Sequence, residues 1–125
     1  RVLRANCTVI FHFAQLWISA LRTFSATVSR ATLRQANVHL YLTLSGVREA
    51  VAPHNDVQDT LIVQLYGAKR WKLWVEPTAM LPFHYEQLFG KQQSKALAPE
   101  QLGKPYAEHT LRPGDVLYVP RGCLH

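Results

Sequence analysis

The sequence predicts a mainly β domain with one helix on its N-terminal side, and three observations lead there. Residues 38–44 alternate strictly between apolar and polar side chains, which is the period of a half-buried strand. Residues 60–66 and 69–75 are apolar-rich runs on either side of Gly67-Ala68, and read as a strand, a tight turn and a returning strand. Between residues 10 and 30, apolar residues recur instead in steps of three and four, the period of one helix face.

Composition sets the bounds. A chain of 125 residues, 48% hydrophobic and 18% charged, holds one domain with a real core and is too short for two. It has no apolar run long enough for a membrane span and no signal-peptide cleavage pattern, so neither is expected. A net charge of +6 suits an acidic neighbour such as nucleic acid, and equally a solvated basic surface; no arginine-rich tract decides between them. Cys7 and Cys123 are far apart and form no C-x-x-C pair, which suits a reducing compartment and excludes a zinc ribbon. The chain starts without methionine and stops on a candidate ligand, so it reads as a fragment cut at both ends.

Taken in order, Phe13, Leu16, Trp17, Ala20, Leu21 and Phe24 mark the helix face, which should pack on a sheet rather than form a partner groove. The serine-rich residues 25–29 should fray. In the strand at 38–44, Val38, Leu40, Leu42 and Leu44 share one face and His39, Tyr41 and Thr43 the other. That second face is polar but uncharged, as suits either a barrel interior holding a small polar ligand or a half-exposed strand. Residues 45–53 form a loop, in which Pro53 forces Ala52 toward an extended conformation just before His54. Glu76-Pro77 closes the strand pair at 60–75. Residues 78–108 are loose and suit a lid. A strand at 116–119 follows, ended by Pro120; Gly122 turns the chain and residues 123–125 begin another strand.

The chemistry centres on His54-x-Asp56. Residues two apart on an extended segment point to the same face, so an imidazole and a carboxylate project side by side. The run Pro113-Gly114-Asp115 to His125 supplies a second imidazole. Two histidines and one carboxylate make the facial set that holds Fe(II) with three positions open. A turn-forming Asp56 beside a hydrogen-bonded His54 is the plainer alternative, and His109 is the rival third ligand. His12 falls on the expected helix and His84 in the loose segment. Lys69 shares a strand face with Trp71, Leu73 and Val75, which should point inward, whereas Arg70, Lys72 and Trp74 share the other. A buried ammonium needs an anion, and a bound dicarboxylate would supply it; otherwise Lys69 snorkels outward from the strand's first position. Asp115 reads as a turn residue. Tyr118 and Arg121 read either as substrate contacts or as packing and surface charge.

The pattern His54-x-Asp56, Gln64-Leu65-x-Gly67-x-Lys69-Arg70-Trp71 and Leu111-x-Pro113-Gly114-Asp115 through His125 resembles the Jumonji C (JmjC) oxygenases, and most the ribosomal-oxygenase group of that cupin superfamily. The resemblance covers about residues 38–125. It implies a double-stranded β-helix (jelly-roll) core at 37–125 behind a helical flank at 1–36, in a single partial domain. It further implies Fe(II) held by His54, Asp56 and His125, with 2-oxoglutarate held by Lys69 and contacts from Tyr41 and Thr43. No catalytic residue is implied beyond the metal centre. Asn55 stands where the family often has an aromatic, and His39, with Asn37 two residues earlier, stands where it usually has an asparagine. The activity implied is hydroxylation of a protein side chain, a ribosomal-protein histidine or arginine, with demethylation of histone methyl-lysine as the alternative within the class. A cupin-like binding module without catalysis is the alternative outside it. A homodimeric parent is implied, in the nucleus or nucleolus of a eukaryote or the cytoplasm of a bacterium.

Overall fold

The computed structural model describes residues 7–48, 50–74 and 102–125. The chain falls into two compact units, Arg1–Val51 and Ala52–His125.

In the first unit, β1 (Thr8–Phe11) pairs antiparallel with β2 (Leu40–Thr43), from Thr8 opposite Thr43 to Phe11 opposite Leu40. The helix expected from residue 10 therefore starts later. Phe13 adopts a left-handed conformation (φ 54), a single 3-10 turn covers Ala14–Leu16, and α1 spans Ser19–Thr32. Strand pairing claims Ile10, and His12 lies in the turn after β1 instead of on the helix. The other end is corrected too, since the residues expected to fray stay helical to Thr32. The hydroxyls of Thr23, Thr27 and Thr32 donate to the carbonyls of Ser19, Thr23 and Val28, four residues back, so the polar side chains close on their own helix. The helix does not bury the expected aromatic face. Leu16, Trp17 and Phe24 are 62%, 83% and 44% exposed, while Ser25 is buried. Ser25 donates to the Ala36 carbonyl (2.6 Å) and Ser29 Oγ accepts from the Ala36 N–H (3.0 Å). The returning chain is thus pinned to a serine face by hydrogen bonds.

The second unit is built of β3 (Thr60–Val63), β4 (Lys69–Leu73), β5 (Ala107–Leu111) and β6 (Val116–Val119). β3 and β4 do not form the expected hairpin: β3 pairs antiparallel with β6, and β4 with β5. Gly67 (φ 67) turns the chain from one ribbon into the other. Dealing consecutive strands to different antiparallel sheets is the arrangement of a double-stranded β-helix. Two short extended pieces widen the β4–β5 ribbon. Trp74, just after β4, bridges to Leu124, and His54 and His125 exchange N–H to carbonyl bonds of 2.9 Å in both directions. The order across this sheet is therefore residue 54, residue 124, β4, β5. Its buried apolar residues are Leu73, Trp74, Leu111 and Leu124, with Val119 buried on β6.

β5 was not foreseen, and its composition explains why. Glu108, His109 and Thr110 are exposed and only Leu111 at its end is buried, so the strand exists through its pairing with β4 and not through its own pattern. A Lys72–Glu108 ion pair at 3.8 Å lies on that ladder. Asp115 is the expected turn residue: its carboxylate accepts from the Arg112 N–H (2.7 Å) while Gly114 takes φ 95. Val75, the Glu76-Pro77 closure and residues 78–101 of the expected lid lie outside the described residues.

Candidate metal centre

The site begins with backbone. The paired bonds between His54 and His125, and the Gly122 N–H donating to the Asp56 carbonyl (2.7 Å), fasten the first candidate ligand segment to the last. Each imidazole is then aimed in the same way. His54 Nδ1 lies 2.8 Å from the Ala52 carbonyl and His125 Nδ1 lies 2.9 Å from the Cys123 carbonyl, in both cases two residues back. A carbonyl oxygen only accepts, so both Nδ1 atoms donate and each Nε2 presents a lone pair. Those two Nε2 atoms face one carboxylate oxygen, Asp56 Oδ2, at 4.0 Å and 3.9 Å.

Three electron-rich atoms thus converge. The ligand atoms of His54, Asp56 and His125 all lie within 4.8 Å of one another, with His54 buried and the other two partly so. The nitrogen-to-oxygen gaps are too long for hydrogen bonds, and lone pairs facing a carboxylate repel unless a cation lies between them. Two neutral imidazoles oriented by second-layer carbonyls, plus a carboxylate, are a donor set suited to a divalent transition metal. The residues fit Fe(II). His109, the rival ligand, is exposed on β5 opposite Trp71 and is no member of the group.

Lys69 opens β4, opposite Leu111, and is half-buried. Burial lowers its ammonium pKa below the usual lysine value. Its Nζ sits over the Trp71 ring, 5.7 Å from the centroid, and that ring lies 5.9 Å from the His125 ring, tilted by 33°. Trp71 therefore links the cation to the metal-facing histidine. Sequence reasoning placed Trp71 inward but gave it no role; its position two residues after Lys69 was the available signal. The carbonyls of Ala52 and Cys123 were missed as well, because any residue type offers one.

Tyr41 and Thr43 lie on β2 in the first unit. Tyr41 stands opposite Ile10 and is 43% exposed, and Thr43 shares a 2.9 Å hydroxyl contact with Thr8. Asn37 Oδ1 accepts from Gln15 (3.2 Å), and His39 Nδ1 meets His12 Nδ1 at 3.3 Å. Tyr118 and Arg121 converge on Asp59, whose Oδ1 accepts from the Tyr118 hydroxyl (2.8 Å) and the Arg121 backbone N–H (3.2 Å). The bond to Asp59 is the chief cause that raises the Tyr118 phenol above its ordinary pKa.

Comparison with known proteins adds to this geometry. The JmjC domain family matches residues 14–125. Among curated relatives, a bifunctional lysine-specific demethylase and histidyl-hydroxylase NO66 from Dictyostelium discoideum is 38% identical over 122 residues, 98% of this chain and 22% of its own length. The protein of the same name from Drosophila willistoni is 29% identical over 96% of this chain and 15% of its own length. Ribosomal oxygenase 2 from Bos taurus is 37% identical over 70% of this chain and 16% of its own length. The chain thus spans between 15% and 22% of the length of these relatives. Among the described residues, no helix is long and apolar enough to cross a membrane.

Proposed function

Because this chain belongs to the JmjC domain family, we propose that it is the core of an Fe(II)- and 2-oxoglutarate-dependent dioxygenase that hydroxylates a protein side chain. The observation that carries the reading is the convergence of His54 Nε2, His125 Nε2 and Asp56 Oδ2. Bound iron supplies the chemistry: oxygen activation coupled to decarboxylation of 2-oxoglutarate to succinate and CO2, with one oxygen atom placed into a substrate C–H bond. His54, Asp56 and His125 hold the metal through two neutral nitrogens and one anionic oxygen. The carbonyls of Ala52 and Cys123 keep both rings in the ligating tautomer.

Lys69 is the counter-ion for the distal carboxylate of 2-oxoglutarate, and its half-buried setting makes an anion beside it favourable. Tyr41 and Thr43 are further co-substrate contacts in this proposal, on the strength of the family resemblance. Residues 37–125 form the jelly-roll core and residues 1–36 its helical flank. The substrate is a ribosomal-protein histidine or arginine, a reading supported by relatives named as histidyl-hydroxylase and ribosomal oxygenase. The same relatives' naming as lysine-specific demethylases supports histone methyl-lysine as the second reading; hydroxylating an N-methyl group releases it as formaldehyde. A homodimeric parent, intracellular and near nucleic acid, goes with either substrate, the last in keeping with the net charge of +6. In a eukaryote the nucleus or nucleolus is its place, and in a bacterium the cytoplasm.

The test is succinate formation by the full-length protein, with and without iron, on peptides carrying histidine, arginine or methyl-lysine. Iron-dependent succinate with hydroxylated peptide supports the hydroxylase, and formaldehyde supports the demethylase. No succinate with any peptide, despite bound iron, leaves a binding module.

A further inference from the structure

We propose that the indole N–H of Trp71 donates a hydrogen bond to the dicarboxylate held at Lys69, making Trp71 a co-substrate-binding residue as well as a support for the His125 ring. The inference rests on the reading of the site given above. Trp71 Nε1 is buried and has no hydrogen-bond partner among the described residues. A buried N–H costs free energy until an acceptor reaches it, so such a group in a native fold calls for one.

The surroundings limit what that acceptor is. The Trp71 ring lies between the two chemical ends of the site, under the Lys69 ammonium at 5.7 Å and against the His125 ring at 5.9 Å. Lys69 and Trp71 are two apart on β4 and so project to the same side, with Leu73, buried at 5% exposure, next along that side. An acceptor for the indole must therefore enter the space that the cation and the metal-facing histidine share. A dicarboxylate spanning the two brings oxygen atoms along its whole length. The same placement explains why a tryptophan stands there. A phenylalanine would support the histidine and the ammonium equally well, but would have no proton to give.

Trp71→Phe keeps the ring and deletes the donor. The full-length protein is loaded with zinc(II), which supports no turnover, and 2-oxoglutarate is titrated into the parent, Trp71→Phe and Lys69→Ala. We expect Trp71→Phe to bind zinc as the parent does and 2-oxoglutarate about tenfold or more weakly, the loss of one hydrogen bond to a charged group. Equal affinity overturns the inference and assigns the N–H to a buried water. A second measurement needs no variant fold. With 15N-labelled tryptophan, the Trp71 indole proton should move downfield when 2-oxoglutarate is added to the zinc-loaded parent, and an unmoved resonance overturns the inference as well. The Lys69→Ala arm separates the two levels. If it loses affinity while Trp71→Phe does not, only the indole role falls. If the parent does not bind 2-oxoglutarate, the dioxygenase reading falls with it.

Discussion

Replacing Asp56 by asparagine should stabilise the metal-free protein and abolish most of its stabilisation by metal. In the absence of a cation, Asp56 Oδ2 faces two imidazole lone pairs at 4.0 Å and 3.9 Å, a contact with no proton to share. An asparagine amide carries two N–H donors and there are two nitrogen acceptors. A closure of about 1 Å on each side would reach hydrogen-bond distance. One such bond is worth about 1 kcal/mol net, which in a domain of this size raises the melting temperature by about 4–8 °C.

With metal the order reverses. At a metal concentration of about a hundred times Kd, the parent gains about 2.7 kcal/mol. Losing the one anionic ligand should weaken binding at least about a hundredfold, and the gain then falls to about 0.4 kcal/mol. Thermal unfolding of parent and Asp56→Asn, each with chelator and with manganese(II), reads both effects in one experiment. The melting curves should cross over, with the variant more stable in chelator and the parent more stable in metal. A variant that is less stable than the parent in chelator and still shifted upward by manganese would refute the account of the site.

Three further outcomes follow from the same geometry. Lys69→Ala should weaken 2-oxoglutarate binding about ten- to a hundredfold, the worth of a charge-assisted hydrogen bond, while leaving metal affinity nearly unchanged; calorimetry on the metal-loaded protein checks both. Burial depresses the Lys69 pKa and a bound carboxylate raises it again, so binding at alkaline pH takes up a proton, and affinity is held below the unliganded pKa and lost as pH rises through the liganded one. Titrations in buffers of different ionisation heat should show uptake; proton release would reverse the assignment. Asp59→Ala should return the Tyr118 phenol toward its ordinary pKa, measured by ultraviolet titration, because the bond to Asp59 is the chief cause of its rise.

Much of the site could be read from spacing because its parts are local. Two residues between like-facing side chains, a proline that extends Ala52, and a Pro-Gly-Asp turn are consequences of backbone geometry within a few residues. The inward placement of Lys69 followed from counting faces along one strand, and its half-buried state agrees with that count. Helix α1 was harder. Its apolar period ran on into a strand at one end, and its polar end held through hydroxyl-to-carbonyl bonds that composition scored as fraying.

The sequence by itself determined the class of the chain, mainly β with an N-terminal helix, and the residue types able to meet as two imidazoles and a carboxylate. Tertiary structure decided which strands pair and which histidine completes the group. Runs at 60–63 and 69–73 look like neighbours because only a short turn separates them, yet each finds its partner some 35 to 60 residues away, β3 on β6 and β4 on β5. Nothing local distinguishes a hairpin from a crossover between sheets, since both satisfy the same alternation and the choice rests on burying side chains from distant segments together. The same holds for His125 over His109: both imidazoles were available, and the backbone pairing of His125 with His54, next to Leu124 at 0% exposure, brought only one of them to Asp56.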